Sequence, residues 1–158
     1  MHRDVKPQNV LVGACGDPDE HALLTDFGIA KALTDSVGLT GMGPIGTPMY
    51  MAPEVCSGQR ASPASDQYSL AVMAYEMLAA RPPFLPEDGD VMDAHVSRAP
   101  EALASLAPQV SEPVCRAIER GLEKRPESRF SDVRELVAVD ARSRISFDRS
   151  SAEGKLSI

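Results

Sequence analysis

Residues 2–9 read His-Arg-Asp-Val-Lys-Pro-Gln-Asn and are the most informative segment of the chain. It places a carboxylate (Asp4), an ammonium group (Lys6) and a side-chain amide (Asn9) within one short segment. Any one of these side chains by itself is most simply a solvated loop residue. The stretch therefore has to be weighed as a joint pattern, together with the segments that follow it.

Further segments follow in a fixed order. Asp26-Phe27-Gly28 comes directly after an apolar run, and residues 46–54 read Gly-Thr-Pro-Met-Tyr-Met-Ala-Pro-Glu. Three more segments lie downstream: Ser-Asp-Gln-Tyr-Ser-Leu at 65–70, Arg-Pro-Pro-Phe at 81–84 and Lys-Arg-Pro-Glu-Ser-Arg-Phe at 124–130. An unrelated helical binding protein would not be expected to carry all of them in this order.

In this order the segments resemble the protein-kinase catalytic loop, the D-F-G signature, the end of the activation loop, the start of helix F, the G-x-x-P-F turn after that helix and the last family motif. A lone D-F-G is weak, but a chance match to the six fixed residues of the catalytic-loop pattern anywhere in a chain of this length has odds of roughly one in a million. The resemblance covers about residues 1–139 and is greatest to bacterial serine/threonine kinases. It implies a mainly α fold, a protein-kinase-like C-lobe with a short β-hairpin, and a missing N-lobe.

The resemblance implies catalytic roles for several residues. Asp4 would orient the substrate hydroxyl and accept its proton, and Lys6 would neutralise charge on the transferred phosphoryl group. Thr47 resembles the residue that hydrogen-bonds both of these side chains in serine/threonine kinases. Thr47 and Lys6 together favour this class over tyrosine kinases.

The resemblance also implies ATP and Mg²⁺ as cofactors. Asn9 and Asp26 would bind Mg²⁺ through hard oxygen ligands, and Lys6 would contact the phosphates. Leu11 matches the residue that supports the adenine ring from below. The partners implied are protein substrates that carry serine or threonine hydroxyls.

Other residues match structural positions of the family. His2 and Phe27 resemble members of the regulatory hydrophobic stack. Asp66 resembles the helix-F aspartate that accepts hydrogen bonds from the catalytic-loop backbone, although near a helix start it is equally a cap. Glu54 and Arg129 resemble a partly buried ion pair whose role is structural rather than catalytic.

Hydrophobic periodicity and breakers predict the elements. Residues 10–12 and 21–25 read as a hairpin, and residues 26–48 as a long loop. The remaining predictions are helices: one after Pro63 with an apolar stripe of Leu70, Met73, Ala74, Met77 and Leu78, ending at residues 81–83; one over 88–96; one after Ser111 as N-cap, with Gly121 near its end; and one from Ser131. We expect part of the apolar stripe to be exposed, because the helices that pack under the catalytic loop in whole kinases are not in this sequence.

Composition limits the function classes. The chain has 158 residues, 43% of them hydrophobic, and a net charge of −7, which argues against nucleic acid as a partner. Its three cysteines are in no paired spacing and are read as free thiols. We see no signal sequence and no membrane segment, and expect a cytoplasmic location, with an anchor outside these residues left open. The resemblance implies that residues 1–139 form a partial kinase domain, and we expect residues 140–158 to form a polar, poorly ordered tail.

The sequence lacks the strand lysine and helix glutamate of a whole kinase domain, and a glycine pattern at 41–46 follows no strand and is accidental. We therefore expect phosphorylation of serine and threonine on proteins by the full-length enzyme and no useful activity from this chain alone. The alternative is a non-catalytic C-lobe module that binds a kinase or its substrates.

Overall fold

The computed structural model describes residues 1–13, 22–26 and 48–138. Its sheet consists of strands β1 (Val10–Val12) and β2 (Ala22–Leu24), which pair antiparallel with Val10 opposite Leu24. A 3₁₀ turn over Pro7–Asn9 leads into β1. The predicted hairpin is therefore confirmed, and its register brings the start of β1 beside the end of β2.

Helices make up most of the rest of the described chain. They are α1 (Pro53–Cys56), α2 (Pro63–Ala79), α3 (Val91–Ser97), α4 (Leu103–Leu106), α5 (Glu112–Gly121) and α6 (Val133–Ala138), with 3₁₀ turns at Pro48–Tyr50, Pro86–Asp88 and Pro126–Ser128. The mainly α fold with a short hairpin is thus the fold observed.

Helix α2 begins and ends where local chemistry requires. Ser62 caps it, because the Ser62 and Ser65 side chains form a capping box and Pro63 fills the first turn. Ala80 takes a left-handed conformation with φ of 56° just before Arg81 and the prolines, which terminates the helix. The predicted helix and its end are confirmed.

The buried face of α2 is offset from the predicted apolar stripe. Its fully buried residues are Tyr68, Ala71, Val72 and Tyr75, which recur with helical spacing. Within the predicted stripe, Ala74 and Leu78 pack only partly against the core, and Met77 is 71% exposed. The aromatic side chains decide the orientation, because burying the two tyrosine rings removes more apolar surface from water.

The main core lies between α2, α4 and α5. Leu103 from α4 and Val114 and Ile118 from α5 are buried against the α2 face. A smaller cluster of Phe84, Val91 and Ala94 is buried on the first turns of α3 and the loop before it. Met49 packs against both clusters. Residues 48–51 therefore lie at the junction of the two clusters.

Several predicted boundaries were wrong. The helix predicted over 88–96 starts at Val91, because the Asp90 side chain accepts hydrogen bonds from the backbone N–H groups of Met92 and Asp93. The last helix starts at Val133 rather than Ser131. Ser111 does occupy the N-cap position of α5, but its side chain forms no cap hydrogen bond. Helix α4 was not predicted.

Some predictions lie outside the described residues. These are the loop over most of 26–48 with Phe27 and Thr47, and the tail over 140–158. The free-thiol prediction is confirmed for Cys56 and Cys115, whereas Cys15 lies outside. Among the helices described, none has the length and apolar character needed to cross a bilayer.

Candidate active site

Asp4, Lys6 and Asn9 come together in the loop before β1. The Lys6 Nζ lies 2.8 Å from Asp4 Oδ2, and the Asn9 Nδ2 donates to the same oxygen at 3.0 Å and to the Asp4 backbone carbonyl at 2.7 Å. Asn9 is buried, and the Asp4 and Lys6 side chains are 23% and 21% exposed. The Asp4 carboxylate is therefore oriented from two sides while still reachable from solvent.

Asp66 on α2 holds the backbone of this loop. Its two carboxylate oxygens accept from the N–H groups of His2 (2.5 Å) and Arg3 (2.7 Å). Arg3 has a φ of 72°, a left-handed conformation that costs energy for a residue with a Cβ. Because Ser62 rather than Asp66 caps α2, the prediction that Asp66 accepts from the loop backbone is confirmed over the alternative of a plain cap.

His2 ties the loop to the hairpin. The ring is buried, and its Nε2 lies 2.8 Å from the Thr25 carbonyl, which can only accept. The proton is therefore on Nε2, and Nδ1 accepts from the Asp4 N–H at 3.4 Å. The carbonyl of Asn9 in turn accepts from the Thr25 N–H at 2.7 Å and from its hydroxyl at 3.2 Å.

This contact places Asp26 beside Asn9. Asp26 directly follows Thr25, is exposed and has a φ of 56°. The Asn9 nitrogen donates to Asp4, so the Asn9 oxygen is the atom that a cation would contact. An amide oxygen and a carboxylate on neighbouring strand ends fit a Mg²⁺ ion that takes its remaining ligands from phosphates and water. In the described part of the chain no three His, Cys, Asp or Glu side chains form a metal cluster.

Leu11 lies on β1 opposite Leu23, and the two side chains share one face of the hairpin. Both are largely uncovered, with Leu11 58% and Leu23 62% exposed. Leu11 and Leu23 therefore form an exposed apolar surface on this face of the hairpin, and the role of Leu11 beneath an adenine ring stays a prediction. Thr47, the other predicted site residue, lies outside the described residues.

The segment at 48–51 is anchored to α2. The Tyr50 hydroxyl donates to Glu76 Oε2 at 2.6 Å, and the Tyr50 carbonyl accepts from the Ser69 hydroxyl at 2.7 Å. Burial first, then the hydrogen bond to Glu76, raises the pKa of Tyr50. Tyr50 therefore stays protonated and keeps donating at neutral pH.

Glu54 and Arg129 form the predicted ion pair. The two guanidinium nitrogens Nη1 and Nη2 lie 2.9 and 2.8 Å from the two Glu54 oxygens, and both residues are buried. The remaining guanidinium N–H groups donate to the carbonyls of Ala64, Glu123 and Lys124. Burial acts to raise the pKa of Glu54, but hydrogen bonds from Arg129 and Ser65 outweigh it, and the pKa is lowered.

Other polar contacts gave no signal in the sequence. Gln67 is buried and pairs with the backbone N–H and carbonyl of Phe130 at 3.0 and 3.2 Å, which fastens α2 to the loop that carries Arg129. Buried His95 on α3 joins Tyr68 to the Met49 carbonyl. These partners are far apart along the chain, so only the fold brings them together.

Comparisons with known proteins identify the family of this chain. The family described as the protein kinase domain matches residues 1–144. Serine/threonine-protein kinase PknE of Mycobacterium tuberculosis is 40% identical over 139 residues, which cover 87% of this chain and 24% of that protein. The protein named serine/threonine-protein kinases drp72 of Corynebacterium efficiens is 43% identical over 144 residues, covering 89% and 26%. The chain thus spans about a quarter of the length of these curated relatives.

Solved structures show the same fold. A crystal structure of the PknI kinase domain of Mycobacterium tuberculosis superposes with a TM-score of 0.57 at 28% identity, over 89% of this chain and 44% of that chain. A second crystal structure of that domain gives a TM-score of 0.59 at 27% identity, over 88% and 44%.

Proposed function

The chain belongs to the protein kinase family, in its bacterial serine/threonine type, and on that premise we propose that the full-length protein phosphorylates serine and threonine hydroxyls of other proteins with ATP. The observation that carries the proposal is the arrangement of Asp4. Its carboxylate is oriented by Lys6 and Asn9, and Asp66 fixes the backbone of its loop. This is what a positioned proton acceptor requires.

In the proposed reaction the substrate hydroxyl oxygen forms a bond to the γ-phosphorus of ATP. The bond from that phosphorus to the bridging oxygen breaks, ADP leaves with the electron pair, and the hydroxyl proton passes to the Asp4 carboxylate. Lys6 neutralises charge on the transferred phosphoryl group from its place beside Asp4. Thr47 would hold Asp4 and Lys6 in register.

The proposed ATP site uses the ends of the hairpin. Asn9 and Asp26 would hold Mg²⁺, which when bound offsets the negative charge of the phosphates. Leu11 would lie against the adenine ring. These assignments are supported by the hydrogen bonds between Asn9 and Thr25, which bring Asn9 and Asp26 to one end of the sheet.

The test is phosphate transfer from ATP to a serine- or threonine-containing protein by the purified full-length gene product. Asp4→Asn should lower kcat by about 100-fold to 10,000-fold, because it removes the proton acceptor and keeps the shape. Asp88→Asn, an exposed carboxylate in a 3₁₀ turn far along the chain, is the matched control and should leave kcat unchanged. Wild-type transfer that does not need Asp4 would disprove the proposal.

We also infer that these 158 residues alone do not transfer phosphate, because the sequence holds neither the strand lysine nor the helix glutamate of a whole kinase domain. The alternative function, a non-catalytic module that binds a kinase or its substrates, is favoured by the exposed side chains of Leu11, Val12 and Leu23. Full-length protein that binds such a partner equally well with and without Asp4→Asn, and shows no transfer, would favour that alternative.

A further inference from the structure

His95 is a completely buried histidine with a polar contact on each side. Its Nε2 lies 3.0 Å from the Met49 carbonyl oxygen, and its Nδ1 lies 2.9 Å from the Tyr68 hydroxyl. The carbonyl can only accept, so the proton is on Nε2 and Nδ1 accepts from Tyr68. The ring therefore joins α3, α2 and the segment at 48–51 through bonds whose directions are fixed.

We propose that His95 is a positioning residue for phosphoryl transfer, which it serves by donating its Nε2–H to the Met49 carbonyl and so fixing the segment at 48–51. The inference rests on the proposed function, because this segment directly follows Thr47, the residue proposed to hold Asp4 and Lys6. Only Pro48 separates Met49 from Thr47 along the chain, so we expect the bond to Met49 to restrict the backbone on which Thr47 depends.

Two helices bind the segment at 48–51, and each contacts a different residue of it. Helix α2 holds Tyr50 through Ser69 and Glu76. Helix α3 reaches the neighbouring residue, Met49, through His95. Because Met49 and Tyr50 are adjacent and are hydrogen-bonded to different helices, the segment has little freedom to rotate about either set of hydrogen bonds.

The surroundings of His95 keep its ring in place. The Phe84 ring packs edge-on against it at a centroid distance of 5.0 Å. The Lys124 ammonium donates to the His95 carbonyl at 2.8 Å and lies 4.7 Å from the Phe84 ring centroid. A lysine on the last carbonyls of a helix stabilises its C-terminal end. These contacts thus fix the position of the His95 ring and of the end of α3 that carries it.

The test separates the two ring nitrogens in the full-length gene product. In His95→Gln the side-chain amide nitrogen replaces Nε2–H, whereas in His95→Asn the amide oxygen replaces Nδ1 and the Met49 carbonyl loses its donor. We expect kcat/KM for a protein substrate to fall about tenfold in His95→Asn, since an unmade buried hydrogen bond is costly, and to stay within about twofold of wild type in His95→Gln. Tyr68→Phe keeps the Met49 bond and should also stay within about twofold, and KM for ATP should not change in any variant.

A second readout does not depend on catalysis. The Met51 N–H donates to the Pro48 carbonyl within the segment, and the Arg98 N–H donates to the Ala94 carbonyl at the end of α3. We expect hydrogen exchange at Met51 to rise about tenfold in His95→Asn but not in His95→Gln, with Arg98 unchanged.

Equal effects of Asn and Gln on kcat/KM, or a rise in exchange at both Met51 and Arg98, would overturn the inference, because His95 would then act only through the stability of α3. No effect of His95→Asn on either readout would overturn it as well. A wild-type protein without phosphate transfer would instead disprove the proposed function, and exchange at Met51 would still decide whether His95 holds the segment.

Discussion

Loss of the Arg129 side chain should destabilise the fold strongly. Arg129 is 2% exposed, neutralises Glu54 and donates to the carbonyls of Ala64, Glu123 and Lys124. Arg129→Met should lower the free energy of unfolding by about 3–5 kcal/mol, because it leaves a buried carboxylate without a partner. The measurement is the midpoint and slope of urea unfolding.

Arg116→Met is the matched control. Arg116 also pairs with a glutamate, Glu112, one turn away on α5, but both side chains are mostly exposed. Removing this pair should cost no more than about 0.5 kcal/mol. Similar losses of unfolding free energy in the two variants would show that burial does not increase the contribution of the Glu54–Arg129 pair to stability.

Because of His95, the free energy of unfolding should fall as the pH is lowered below neutral. Burial, and then the nearby Lys124 ammonium, lower the pKa of His95 from 6.5 to about 4, while Tyr68 and the Met49 carbonyl face its two nitrogens. Above pH 6.5 the His95 ring is neutral in both the folded and the unfolded state. As the pH falls from about 6.5 to about 4, only the unfolded state binds the proton, so the free energy of unfolding should fall by on the order of 3 kcal/mol.

The measurement is urea unfolding of wild type and His95→Gln from pH 8 down to about pH 4. The glutamine does not titrate, so the difference in unfolding free energy between the two proteins should shrink, or shift in favour of the variant, as the pH falls. Parallel curves would mean that the folded-state pKa of His95 is not lowered.

Contacts between individual residues could be predicted from the sequence only where the residues belong to a family motif. Asp66 with the loop backbone and Glu54 with Arg129 were expected from the sequence and are present. The contacts of Gln67 and His95 were not expected. Their partners include backbone groups of Phe130 and Met49, and a backbone donor or acceptor leaves no trace in the sequence.

At the scale of elements, helices were easier to predict than the faces they bury. Pro63 and the residues from Arg81 onward mark where α2 begins and ends, and the structure agrees. The apolar stripe did not identify the buried face, because alanine and methionine counted as much as the tyrosines that fill the core. Helix α4 is one turn long, too short for a periodic pattern to reveal.

The crossing of α2 and α5 gives a prediction about two small residues. A Cβ added to Gly121 would lie 2.7 Å from the Cβ of Ala71 and would meet Leu136 next. Gly121→Ala should therefore destabilise the fold by about 1–3 kcal/mol, despite the higher helix propensity of alanine. The measurement is the thermal unfolding midpoint by calorimetry.

Exchanging the two residues is the control. Ala71→Gly alone should cost about 1 kcal/mol in helix propensity. The double variant should lose at least about 1 kcal/mol less unfolding free energy than the two single variants lose together, because it removes the clash. Additive effects would show that the helices separate to admit the extra methyl group.

At the scale of the whole molecule, the order of the motifs predicted the fold class because each motif belongs to a different part of one known architecture. It could not predict how much of the hairpin surface is covered. Burial depends on what packs from outside, and the exposure of Leu11, Val12 and Leu23 on the hairpin follows from the three-dimensional arrangement.

That exposure leads to a prediction for the 158-residue chain by itself. A nucleotide site normally buries 70–90% of its ligand, yet the residue proposed to lie under adenine is 58% exposed, on a sheet of two strands. Calorimetric titration with ATP and Mg²⁺ should therefore give a Kd weaker than about 1 mM. A Kd near about 1 μM that is lost in both Asp26→Asn and Leu11→Ser, but kept in Val12→Ser on the opposite face of the hairpin, would contradict it. The hairpin and the loop before it would then form a nucleotide site without the cover that a second lobe provides.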